Sequence, residues 1–209
     1  MDPVAQEILS FWFGTADMKS DIERRDVWFK ATPEFDDEIK IRFLKIHETA
    51  AADGFKNFEE TPEQCLALVI ALDQFSRNLY RRTGKAFDTD EKARSTARLA
   101  VSERFDMMVS EEPRKFFYLP FVHSENLADQ DIAVEKFSIL NHEKSLTSAR
   151  DHREAIYRYG RFPHRNAALG RTSTAEEEEY LKIPPTWGMT AAEAKDRENR
   201  LAALNVDDA

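Results

Sequence analysis

One cysteine, Cys65, is the only thiol in the chain. It cannot close an internal disulfide or build a thiolate metal site. It sits inside an apolar run and reads as a small core residue rather than a nucleophile. Basic charge is also scarce: 30 lysines and arginines stand against 39 aspartates and glutamates, a net charge of −9. Nucleic-acid binding wants a basic face, so no nucleic-acid partner is expected. The longest stretch free of polar residues, Cys65 to Leu72, is far too short to cross a bilayer, and no membrane partner is expected. MDPVAQEILSFWFG carries neither a basic leader nor a cleavage-site pattern. Export is therefore not expected, and a cytoplasmic setting is. The phosphate-cradling GxxxxGK[ST], the GxSxG elbow and the dinucleotide-binding glycine fingerprint are all missing. No histidine has a second histidine three or four residues away, as helical metal pairs require. No cofactor and no metal are expected.

Period-2 alternation is absent too, and what replaces it is a series of helix signals. Asp2-Pro3 and Thr32-Pro33 each put a capping side chain before a proline at the first helical position. Val4, Ile8 and Trp12 then share a face up to Gly14, and Phe35, Ile39 and Phe43 recur every fourth residue up to Asp53-Gly54. Thr61-Pro62-Glu63-Gln64 reads as the strongest cap. The continuously apolar run that follows, through Phe75, predicts a helix buried on every side. Asp88 and Glu91 can cap a helix running to about Phe105. Pro113 begins an aromatic segment that Pro120 should interrupt. Leu127 to Leu140 and Thr147 to Tyr159 are amphipathic, and Thr174 opens the acidic AEEEEYL. With 42% apolar residues in 209 there is enough material for a core. The class is all-α, with about ten helical segments and no fixed-period repeat. The expected organisation is one helical domain over residues 1–185, then a C-terminal extension over 186–209. That extension is expected to be part helical and docked through Trp187, with Asn205 to Ala209 loose.

Three polar clusters interrupt the apolar pattern. The buried helix runs straight into Asp73, Gln74, Arg77, Asn78 and Arg81, and Asp73 and Arg77, four apart, can pair on one face. His123 and Glu125 end the aromatic segment. Arg161, His164, Arg165 and Asn166 share a loop stiffened by Pro163 and bracketed by Gly160 and Gly170. Arginine, histidine and asparagine on short rigid segments suit an anion clamp. The favoured function is a pocket lined by these residues other than Gln74, ten in all, that binds a small anionic molecule or an acidic peptide segment. An enzyme is the alternative: His123 or His164 as acid–base group, Asp73 or Glu125 as its orienter, and arginines holding an anionic substrate. In a third reading the clusters are an internal network that fixes helix packing.

DQFSRNLYRRTGKAFDTD, FFYLPFVHSENLADQ and GRFPHRNAALGRTST, in that order, resemble a bacterial family catalogued as domain of unknown function nine-two-four. FWFG and Trp28-Phe29 match it as well. Ser76 departs from the pattern, standing where proline is expected. The resemblance covers roughly the first 185 residues. It implies an all-helical fold of stacked helical hairpins similar to tetratricopeptide-like proteins, and it implies no activity.

Overall fold

Proline one place inside a helix start recurs at Pro3, Pro33 and Pro62, where its missing N–H costs nothing and its fixed φ suits the helix. These open α1 (Pro3–Phe13), α2 (Pro33–Ala51) and α3 (Pro62–Val69). The computed structural model describes residues 1–140 and 142–207, the last five as backbone alone. A π-helical turn, Ile70–Gln74, continues α3 into α4 (Phe75–Leu79). There follow α5 (Asp90–Ser102), α6 (Glu111–Val122), α7 (Leu127–Ser138), α8 (Glu143–Tyr159), α9 (Ala175–Leu181) and α10 (Ala191–Asp207). Among the described residues there is no strand, and no helix is long and apolar enough to cross a membrane.

The helix expected to be buried all round sits at the centre. Cys65, Leu66, Ala67, Val69, Ile70 and Phe75 are fully inaccessible. On one side α1 and α2 bring Phe11, Trp12 and Phe43 edge-on or tilted against Phe75. On the other, α5 and α6 close the core with Ala93, Ala97, Phe116 and Phe117. Helices α6, α7 and α8 pack each on the next.

Several local expectations differ from what forms. Thr61 makes no side-chain cap; Gln64 turns away, accepting from the Asp2 N–H and donating to Asn57 O. The reciprocal capping box lies instead at Thr174 and Glu177. Pro120 does not interrupt its segment, since α6 passes through it to Val122. Helix α5 stops at Ser102, where Arg104, at φ 60°, turns the chain. Helix α8 starts at Glu143 with His142 as cap, a turn before Thr147. Helix α10 runs past Leu204 to Asp207. Part of the segment expected to be loose, residues 208–209, lies outside those described.

Candidate functional site

Asp73 owes its position to the π turn. In that turn the Phe75 N–H bonds back to Ile70 O, five residues away. Widening the helix this way frees carbonyls that must find other donors. Side chains supply them in succession: His47 Nδ1 faces Ala71 O at 2.9 Å, the Thr89 hydroxyl donates to Leu72 O at 2.6 Å, and Arg77 donates to Asp73 O at 2.8 Å. The Asp73 carboxylate, fully buried, receives Gln74 Nε2 at 2.5 Å, Arg77 Nη1 at 3.1 Å and His123 Nδ1 at 2.9 Å. Burial works against its ionisation, but Arg77 and His123 outweigh it and hold the carboxyl well below the usual carboxylate range.

His123 caps the end of α6. The Gln130 amide, reaching back from α7, fixes this turn by facing the carbonyls of Phe121, Val122 and Ser124. Burial and then the Arg77 charge push the His123 imidazole below its ordinary value, against the pull of Asp73. That favours the neutral ring; its Nδ1–H donates to Asp73, and no described residue hydrogen-bonds Nε2. Glu125, two residues on, accepts both arms of Arg171 at 2.9 and 2.8 Å and the Phe162 N–H at 2.8 Å. Those bonds tie the second motif to the third.

Arg77 forks onto Asp90 at 2.8 and 3.1 Å. Arg165 shares that carboxylate only at 3.5 Å and donates to His123 O at 2.9 Å. Its guanidinium lies between the ring faces of Phe87, at 4.4 Å, and Phe162, at 4.6 Å. Burial, with Arg77 nearby, lowers its pKa to about 10, and its buried Nε has no partner among the described residues.

A cavity of about 430 Å³ opens here, lined by Phe87, Asp88, Asp90, Glu91, Arg94, His123, Glu125, Asn126, Arg165 and Arg171, among others. All three motifs therefore meet at one place. Of the ten residues singled out from the sequence, His123, Glu125 and Arg165 line the cavity, and Asp73 and Arg77 stand directly behind them. Asn78 and Arg81 point elsewhere, both to Asp36 on α2. Arg161 and Asn166 reach Glu177 of α9. His164 packs by Phe162 and Trp187, its Nδ1 buried without a partner among the described residues. Asp36, Asp90, Arg171 and Glu177 were not singled out, though each completes an ion pair. A signal existed for three of them: Asp90 ends the first motif, Arg171 lies in the third, and Glu177 stands three residues after Thr174 in capping-box spacing.

An all-helical protein with a mixed-charge cavity at the junction of three motifs is the class this geometry defines. The chain belongs to the bacterial family of unknown function DUF924, whose profile matches residues 8–185. It is similar to a solved protein of unknown function from Agrobacterium tumefaciens, at 38% sequence identity and a TM-score of 0.80. That likeness covers 87% of this chain and 98% of the other. None of the curated proteins compared with the chain matches it.

Proposed function

We propose that the cavity binds a small anionic molecule, with Arg165 and Arg171 as its contacts. One observation carries the reading: Arg165 is buried with more N–H donors than acceptors. Of the cavity-lining carboxylates, Asp90 is taken by the Arg77 fork and Glu125 by the Arg171 fork, while Asp88 is exposed to solvent and makes no ion pair among the described residues. Glu91 at the rim is held by Arg94. A buried guanidinium short of acceptors favours an incoming anion. The volume suits a small molecule better than a peptide segment. Asp73, Arg77, Asn78, Arg81, Arg161 and Asn166 then act behind the site, as ion-paired supports that fix the motifs. A tetratricopeptide-like stacking of hairpins belongs to the same proposal, supported by the successive packing of α6, α7 and α8. So does a cytoplasmic setting, supported by the acidic composition and the free thiol of Cys65.

Thermal shift against a panel of small anions, inorganic phosphate, succinate and pyruvate among them, tests the proposal. At least one anion should raise the melting temperature saturably, and Arg171→Gln or Arg165→Lys should remove the rise. If every anion acts alike on the wild type and both variants, the pocket is no anion site.

A further inference from the structure

His123 has three features that a general base needs. Its Nδ1–H is tied to a buried carboxylate, which fixes the tautomer and turns the ring. Burial favours the neutral imidazole, in which the other nitrogen keeps its lone pair, and no described residue hydrogen-bonds that nitrogen. It also faces a cavity large enough for a ligand and a water. We propose that His123 is a catalytic base, with Asp73 as its positioning residue, and that the cavity hydrolyses an acyl ester of a small anionic molecule. This rests on the anion-binding reading above.

The other histidines of the neighbourhood do not share these features. His164 has no carboxylate at its buried Nδ1 and is pushed down to about 3, first by burial and then by Arg165. His152 donates Nδ1–H to Ser148 O and lies under the Trp187 indole, with ring centroids 3.6 Å apart. Glu125 is occupied by Arg171 and the Phe162 N–H, and it orients neither ring.

Among the described residues of the cavity wall, no hydroxyl or thiol is free to act as a nucleophile. Ser124, the hydroxyl nearest His123 in the chain, donates to Asp129 at 2.6 Å. Cys65 lies in the core, with burial raising its thiol to about 12. Water is therefore the nucleophile. His123 Nε2 takes one proton from water as the oxygen bonds to the acyl carbon. The tetrahedral adduct collapses, the bond from carbon to the leaving oxygen breaks, and Nε2–H returns its proton to that oxygen. The products are a carboxylic acid and an alcohol, and the imidazole ends neutral as it began. Arg165, buried on the same wall, is placed to hold the ligand's anionic group.

Two activated esters test this on the full chain: 4-nitrophenyl acetate, which is neutral, and mono-4-nitrophenyl succinate, which carries a carboxylate. The wild type should release nitrophenolate from the succinate ester in preference to the acetate. His123→Gln should cut kcat on the order of 100-fold with the melting temperature kept, the usual size of a general-base contribution. Asp73→Asn should lower kcat more than it alters KM. It should also move the rising limb of the pH profile to lower pH, because the carboxylate no longer holds the proton on the ring. A purely structural Asp73 would not move that limb. If neither ester is turned over faster by the wild type than by His123→Gln, the hydrolytic assignment is wrong, even where anions still raise the melting temperature. Equal turnover of both esters, still dependent on His123, would instead remove the anion reading and leave the base.

Discussion

His164 is held neutral by its surroundings and receives nothing from them in return. Its Nδ1 is buried with no acceptor among the described residues. Burial comes first and the Arg165 charge second in taking its pKa from 6.5 to about 3, with His123 and Arg77 adding to the effect and Glu125 opposing it. The unfolded chain takes up a proton near the ordinary value, and the folded one does not. Stability from this group is thus fully present above about pH 6.5 and is lost as pH falls from there toward 3. For that window linkage gives a loss of about 2 kcal/mol between pH 8 and pH 5. Melting temperatures across this range should fall before the carboxylates titrate, and His164→Gln should flatten the curve. A wild-type profile already flat to pH 5 would mean that water reaches the ring. The sequence marked His164 but not this whole environment, because only Phe162 and Arg165 are local, while Trp187, Glu125, His123 and Arg77 come from segments far apart in the chain. Asp73 and Arg77 were readable as a pair, since four residues separate them on a helix. Asp36 was not: it accepts from Asn78 and Arg81 across 42 and 45 residues, and nothing local distinguishes it from Asp37. Nor does AEEEEYL announce that Glu177 alone is buried among its glutamates.

For the elements, periodicity and proline placement were enough to find α1 to α3, and Thr174 before a run of glutamates was enough to find the acidic α9. They were not enough to find the π turn. A five-residue widening keeps the same apolar composition as an α-helix, and its cause lies in distant donors: His47, Thr89 and Arg77 hold the carbonyls it frees. The same logic explains Thr61. Its side chain looked like a cap, yet Gln64 is drawn off by Asp2 and Asn57, partners no local motif reveals. Ile70 opens the π turn and is fully buried among α2, α5 and α6. Replacing it tests both the packing and the turn. Ile70→Ala should cost about 2–5 kcal/mol in chemical denaturation, the range for a core truncation. If the turn matters to the site, the variant should also weaken whatever depends on the Asp73–His123 bond. A cost below about 1 kcal/mol would mean that the segment is not the centre of the core.

Across the molecule, the segment from Trp187 to Arg197 is held by the motifs themselves, although the family match ends at residue 185. Trp187 lies flat on His152 at 3.6 Å, with Phe162 and His164 edge-on at 5.8 and 5.5 Å. Arg81, from the first motif, donates to Gly188 O at 3.1 Å, and Arg82 pairs with Glu193 of α10. Arg197 folds the segment back by donating to Pro184 O at 2.5 Å. The tail therefore bridges the first and third motifs while covering two neutral histidines. Trp187→Ala should cost about 2 kcal/mol, a fall of about 4–8 °C in melting temperature for a chain of this size. Truncation after Pro184 should cost at least as much. A second consequence separates docking from mere bulk. Burial is the first cause of the lowered pKa at both His152 and His164. Removing the indole admits water, lets both rings titrate nearer their ordinary value, and so shrinks the loss of stability between pH 8 and pH 5. The truncated chain should be less stable at pH 8 yet less sensitive to acid. If it keeps the wild-type melting temperature and the wild-type slope with pH, the tail covers nothing.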